Sequence, residues 1–147
     1  MNTKQLVLAG KKWNRTLSDG HLTYIPKNIS SEQKFSFTAY PIEPLNQKDI
    51  HEWLLSKITA IHKSLGKADN EWKIKIEKDG SPSTSNSFIN HDGEKLSVGY
   101  NGVPVQNDAA FILQMVSTKD FMLLLRYGMS YYKIIEDAKS TFCHGEG

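Results

Sequence analysis

Residues 11–25 read KKWNRTLSDGHLTYI, two alternating runs on either side of the dipeptide Asp19-Gly20. Asp-Gly is a strong hairpin signal, because both residues tolerate the positive φ angles that a two-residue type I′ turn requires. Alternation places Leu22 and Tyr24 on the same face of the second run. The sequence therefore predicts an antiparallel β-hairpin over this stretch.

A third strand and a helix are predicted next. Residues 35–40 (FSFTAY) alternate aromatic with small or polar side chains until a proline-containing segment ends the strand. Apolar residues then recur at helical spacing, with Asn46 in the position of an N-cap and Gly66 in the position of a C′ glycine. We expect a helix over residues 47–65.

The second half of the chain returns to strand-like alternation. Residues 72–77 (WKIKIE) alternate apolar with charged side chains, which predicts a strand with one buried face. We expect the serine-rich segment Gly80–Asn86 to be a mobile loop. Further strands are predicted at residues 87–90, 94–100 and 109–116.

The last two strands and the final helix contain two glycines whose positions carry information, Gly102 and Gly128. Asn101-Gly102 is typical of a tight turn or of a bulge within a longer strand. A helical stripe predicts a helix over residues 117–141. Gly128 lies inside this stripe, where glycine costs about 1 kcal/mol relative to alanine, so it marks either a close approach to the sheet or a kink.

The order of elements predicts the fold class. Three strands, a helix, three or four strands and a helix, joined mostly by short turns, indicate a mainly antiparallel sheet of about six or seven strands. Two long helices on opposite faces of that sheet would give a three-layer αβα sandwich. We expect a single α+β domain over residues 1–142, with residues 143–147 as a tail or the start of a linker.

By the order of its elements from Trp13 to Phe142, the chain resembles the PsbP-like αβα sandwich, a family that includes the photosystem II extrinsic protein PsbP, the Ran-binding Mog proteins, the periplasmic lipoprotein DcrB and the Eag-type chaperones of type VI secretion. A second likeness rests on particular residues: Trp13, Asp19-Gly20, Tyr24-Ile-Pro26, Trp53 and Leu65-Gly66. With these residues the chain also looks like bacterial secreted or lipoprotein domains. The resemblance implies a periplasmic, envelope-associated or secreted context and a binding role, and it names no catalytic residue.

Composition narrows the possible functions. The chain has 147 residues with 18 basic and 16 acidic side chains scattered along it, for a net charge of +2. A nucleic-acid-binding protein usually concentrates its basic residues in one patch, so we expect no nucleic-acid partner. The longest apolar run, five residues from Phe121, is far short of the roughly 20 needed to span a bilayer.

The chain contains no motif for catalysis or cofactor binding. It has no Gly-x-Ser-x-Gly elbow, no glycine-rich phosphate loop and no His-Glu-x-x-His. Cys143 is the only cysteine, and His51 and His62 are about 16 Å apart along one predicted helix, too far to ligate one metal. We therefore expect no cofactor and no metal.

Two groups of residues are candidates for a site. Tyr131 and Tyr132 cannot both point inward from one helix, so one of them is expected to be exposed and available for binding. His91 and Asp92, with Asn101 further along the chain, could form the cleft of a small hydrolase. The turn geometry of this segment explains His91 and Asp92 equally well.

The leading hypothesis is a non-enzymatic binding or adaptor domain. It would hold a protein or peptide partner on a sheet surface or at the segment Gly80–Asn86. A small hydrolase with a site near His91, Asp92 and Asn101 is the first alternative. An immunity or inhibitor protein for a toxin is the second.

Overall fold

The computed structural model describes residues 2–106, 108–118 and 126–144. Its regular elements follow in chain order: β1 (Asn2–Leu8), β2 (Lys11–Ser18), β3 (His21–Pro26), β4 (Phe35–Ala39), β5 (Glu43–Pro44), α1 (Ile50–His62), β6 (Lys67–Ala68), β7 (Lys75–Ile76), β8 (Pro82–Ile89), β9 (Lys95–Val105), β10 (Ala109–Thr118) and α2 (Ser130–His144).

All of these strands belong to one antiparallel sheet with the order β1-β2-β3-β4-β10-β9-β8-β6. The short strands β5 and β7 add to β10 and β8. The two halves of the chain meet where β4 pairs with β10, from Leu113 opposite Ala39 to Ser117 opposite Phe35. This pairing places strands from the beginning and the end of the chain side by side at the centre of the sheet.

The hairpin predicted at residues 11–25 is confirmed as β2 and β3. Asp19 and Gly20 have φ angles of 54° and 80°, the positive values that a type I′ turn needs. Leu22 and Tyr24 are both completely buried, as their alternation predicted. The sheet continues outward through β1, a strand that the sequence pattern did not reveal.

Each helix covers a different face of the sheet, and each face has its own hydrophobic core. Alternation along β10 shows the division, because Phe111 and Leu113 belong to the core under α2 while Ala110 and Ile112 belong to the core under α1. The α2 core also takes its aromatic residues from β2, β3 and β4. The α1 core draws on β8, β9 and the helix itself.

The expected three-layer αβα sandwich with two long helices is wrong. Among the described residues, the sheet has ten strands instead of six or seven, and α1 and α2 have only 13 and 15 residues. The described part of the chain is therefore dominated by strands. Two-residue strands such as β5, β6 and β7 are set by their partners in the sheet, and they leave no periodicity in the sequence.

The first helix is shorter than the predicted range of residues 47–65. Asn46 and Gln47 have φ angles of 54° and 65°, so the backbone there is left-handed and cannot begin an α-helix. Asp49 is the N-cap instead, and its carboxylate accepts a 2.7 Å hydrogen bond from the backbone N–H of His51.

The serine-rich segment Gly80–Asn86 is not the loop that we expected. Most of it lies in β8, which pairs with β9 continuously from Ser83 opposite Asn101 to Ile89 opposite Lys95. The strand predicted at residues 72–77 is reduced to β7. In both segments, hydrogen bonds to a neighbouring strand determine which residues form a strand, and local composition does not reveal those bonds.

The predicted final helix begins too early. Ser117 and Thr118 are the last residues of β10, while residues 119–125 lie outside the described part of the chain. Residues 126–128 are helical, and Met129 separates them from α2. A Cβ on Gly128 would meet nothing within 4 Å, so this glycine lies beside a helix break and makes no close approach to the sheet.

Candidate functional site

A cavity of about 830 Å³ lies between α2 and the sheet. Strands of the sheet form its floor, α2 forms one wall, and the turn between β7 and β8 forms the other. The described floor residues include Phe35, Phe37, Ser83, Gly99, Asn101, Val103, Leu113 and Met115, and the two walls include Glu77, Lys78, Asp79, Ser81, Tyr131, Tyr132, Ile135 and Lys139.

The end of the cavity nearest β4 is aromatic. The rings of Phe35 and Phe37 meet edge to face with centroids 5.4 Å apart. The ring centroids of Phe37 and Tyr131 are 6.3 Å apart. The Tyr131 ring in turn meets the Tyr132 ring edge to face, with centroids 5.2 Å apart. These tilted arrangements are the favourable ones for aromatic pairs, so the rings form a continuous apolar wall from the sheet to the helix.

The opposite end of the cavity is polar and held in place by hydrogen bonds. Glu77 accepts a hydrogen bond from the Ser83 hydroxyl. Asp79 accepts from both the hydroxyl and the backbone N–H of Ser81, and these bonds lower the pKa of its carboxyl. Burial, with the negative charges of nearby groups that include both carboxylates, raises the pKa of Tyr131. The phenol is therefore neutral at pH 7.

The structure brings together three of the five residues singled out from the sequence. Tyr131, Tyr132 and Asn101 all line the cavity, and Tyr132 is 69% exposed while Tyr131 is mostly buried. His91 and Asp92 lie elsewhere, in the exposed turn between β8 and β9.

The hydrolase arrangement is not formed by these residues. A ring nitrogen of His91 lies 3.2 Å from the carbonyl oxygen of Ser64, beside the end of α1. Asn101 is near the other end of β9, where it pairs with Ser83. The histidine, the carboxylate of Asp92 and the amide of Asn101 therefore do not share a cleft.

The sequence did not identify several cavity residues, among them Gly99, Met115 and Ser83 of β8. A signal was present, because Ser83, Ser85 and Ser87 recur at the period of two that is typical of one face of a strand. A serine-rich composition is more typical of loops than of strands, so composition alone predicts a loop here. These small side chains leave the sheet beside the cavity open.

A second cavity, of about 280 Å³, lies on the α1 face. Its polar side chains are paired with one another, since Glu43 accepts from the indole N–H of Trp53 at 2.8 Å and forms a 2.7 Å ion pair with Lys57. Because its charges are already satisfied and its volume is small, this cavity is a weaker candidate for a ligand site.

A polar network crosses the α1 core. Gln114 donates from its amide nitrogen to the hydroxyls of Tyr40 and Tyr100, each at 3.1 Å. The Tyr100 hydroxyl also lies 3.1 Å from Nδ1 of His62, a residue that is 4% exposed. Burial lowers the pKa of this histidine. The network positions β9 and β10 against α1.

The described residues include no group of three or more histidine, cysteine or acidic side chains placed to hold a metal ion. Within the same ranges, no helix has the length and apolar character needed to cross a membrane. Cys143 is exposed near the end of α2.

Comparison with known proteins returned no match: neither a protein-family model, nor a curated protein, nor a solved structure is significantly similar to this chain. The resemblance to PsbP-like domains stays a prediction.

Proposed function

We propose that this protein is a non-enzymatic binding domain whose cavity beneath α2 receives an apolar side chain of a peptide or protein partner. The observation that carries the proposal is the cavity itself, which has an aromatic wall at one end and fixed polar groups at the other. Its volume of about 830 Å³ falls in the range of roughly 300–1,000 Å³ typical of ligand sites.

The sheet beside the cavity favours an extended partner. Ser85 is exposed, and Ser83 and Ser87 are half-exposed, on the same face of β8. A peptide chain could lie across this face with one side chain anchored in the cavity and receive a hydrogen bond from the Ser85 hydroxyl. The hydroxyls of Ser83 and Ser87 already donate to Glu77 and Asp69, so they would act as acceptors for N–H groups of the peptide. Polar contacts along an extended chain and a pocket for one side chain are the usual components of peptide recognition.

The cavity favours binding over hydrolysis. Among its described lining residues there is no histidine or cysteine to act as a base or nucleophile. The Ser83 hydroxyl donates to the carboxylate of Glu77. A location in the bacterial envelope is part of the proposal on the resemblance to PsbP-like domains alone.

A random-peptide display library selected on the immobilised protein tests the proposal. We expect the enriched peptides to share one large apolar residue and to bind with one-to-one stoichiometry in calorimetry. The Y131A/Y132A variant should bind them at least tenfold more weakly while keeping its circular dichroism spectrum.

The control is M129A, because Met129 is 79% exposed and precedes α2 but does not line the cavity. This variant should bind the peptides as the wild type does. Peptides that bind the double-tyrosine variant with unchanged affinity would show that the cavity is not the site.

A further inference from the structure

Gly99 lies in the interior of β9, where glycine weakens a strand because it loses more backbone freedom on folding than other residues and packs no side chain. Its neighbours in the sheet are Met115 on one side and Ser85 on the other. Its φ angle is not among the positive values found at the turn glycines. The backbone conformation therefore does not require glycine here.

Packing does not require it either. A Cβ on Gly99 would lie 3.8 Å from the carbonyl oxygen of Thr84 and 3.9 Å from Cε of Met115, which are ordinary contacts. Gly102 in the same strand differs, because its Cβ would lie 3.0 Å from Cγ of Pro82 and 3.7 Å from Cγ1 of Ile50. Close packing on the α1 side of the sheet explains why residue 102 is glycine. No such packing surrounds Gly99, which faces the cavity.

We propose that Gly99 determines specificity: its bare backbone is the surface on which a planar aromatic ring of the partner lies. The inference rests on the proposed binding function and names the class of side chain that the cavity selects. A strand glycine exposes a flat peptide surface, and the flat face of an aromatic ring can lie against it over a larger area than a branched aliphatic side chain can. An aliphatic side chain would cover less of this surface.

The residues around Gly99 suit a ring. Met115, directly opposite in the sheet, offers a thioether, which makes favourable contacts with aromatic edges and adapts its shape to them. Phe37 lies opposite Met115 on the next strand, and Tyr131 is in ring contact with Phe37 from the helix. A bound ring would extend this series of tilted aromatic contacts by one member.

Three small probes test the class of ligand: N-acetyl-L-tryptophanamide, N-acetyl-L-phenylalaninamide and N-acetyl-L-leucinamide, each titrated into the isotope-labelled protein and followed by NMR. We expect the two aromatic probes to shift the backbone amides of β9 and α2 and to saturate at concentrations at least fivefold lower than the leucine probe.

Two substitutions test the role of Gly99. Gly99→Val should lower the affinity for the aromatic probes at least tenfold, because its added carbons would occupy the floor of the cavity. Gly99→Ala adds a single carbon and should lower the affinity by less. Gly99→Ala should melt at or above the wild-type temperature, since its Cβ makes only ordinary contacts, and the high β-propensity of valine should keep Gly99→Val folded. The matched control is Ser97→Ala, which lies on the same face of β9 but outside the described lining of the cavity.

The outcomes separate this inference from the function on which it rests. The inference would be overturned if Gly99→Val bound the aromatic probes as tightly as the wild-type protein does. It would also be overturned if the wild-type protein bound the leucine probe as tightly as the aromatic probes. If selected peptides still depended on Tyr131 and Tyr132 in that case, the proposed function would stand. If neither probes nor peptides bound the wild-type protein, both proposals would fail.

Discussion

Arg15 of β2 and Asp137 of α2 form an ion pair with 2.8 Å between Nη1 and Oδ2, although 122 residues separate them in the chain. The Arg15 side chain is 3% exposed and also donates to the Thr141 hydroxyl at 3.0 Å. Tyr24 donates its hydroxyl to the same Asp137 oxygen at 2.7 Å. These bonds attach α2 to the sheet and so help to set the width of the cavity.

The first prediction is that Asp137→Ala destabilises the protein by about 3–5 kcal/mol, because it leaves the Arg15 guanidinium buried without its carboxylate. Urea unfolding measures the loss. The control is Lys133→Ala, which removes an exposed pair with Glu136 at 3.6 Å on the same helix. We expect that change to cost less than about 1 kcal/mol, and equal costs for the two variants would contradict a stabilising role for the buried pair.

The second prediction concerns acid. Burial holds the pKa of His62 below the value of about 6.5 that a histidine has in the unfolded chain. The unfolded state therefore binds more protons than the folded state as the pH falls below 6.5, and the stability present above that pH is lost progressively. Melting temperatures measured between pH 7.5 and pH 5 should decrease towards the acidic end.

His62→Phe is the matched variant, since its ring would lie among those of Trp72, Phe88 and Tyr100, which already surround the imidazole. Its melting temperature should change less over the same range of pH. His91→Gln, which replaces an exposed histidine, should show the same change of melting temperature with pH as the wild type. Identical slopes for His62→Phe and the wild type would exclude His62 as the source of the acid sensitivity.

The third prediction is that Gly66→Ala is strongly destabilising. Gly66 has a φ of 149°, and an added Cβ would overlap the carbonyl oxygen of Ile89 in β8. Backbone atoms on both sides would have to move, at a cost of about 2 kcal/mol or more. Gly10→Ala also places alanine at a positive φ, but nothing lies within 4 Å of its Cβ, so we expect only about 1 kcal/mol. Thermal unfolding of the two variants should rank them in this order.

The fourth prediction is that Gln114→Leu costs about 1–3 kcal/mol by leaving a partly buried hydroxyl without its protein partner. The Tyr100 hydroxyl keeps its contact with His62, whereas the Tyr40 hydroxyl loses the hydrogen bond that it accepts from Gln114. The double variant Q114L/Y40F removes that hydroxyl and should recover part of the lost stability. Urea titration gives both values, and a double variant no more stable than Gln114→Leu would show that the Tyr40 hydrogen bond is not the source of the loss.

The chain's own sequence determined the elements whose signals are local. The Asp19-Gly20 hairpin, the alternation of β4, β9 and β10 and the apolar stripe of α1 could all be predicted, since turn residues and side-chain periodicity act over a few neighbouring positions. Of the site, the sequence identified Tyr131, Tyr132 and Asn101 as candidates but did not show that they belong together.

Only the tertiary structure decided the rest. β8 is a strand because its backbone forms hydrogen bonds with β9 from Ser83 to Ile89. The described part of the sheet has ten strands because short segments such as β5 and β7 pair with longer strands. The cavity arises where α2 crosses β4, β9 and β10, elements that come from separate parts of the sequence. The physical reason is the same in each case: pairing and enclosure depend on groups far apart in the chain, and no local pattern of residues encodes their distance.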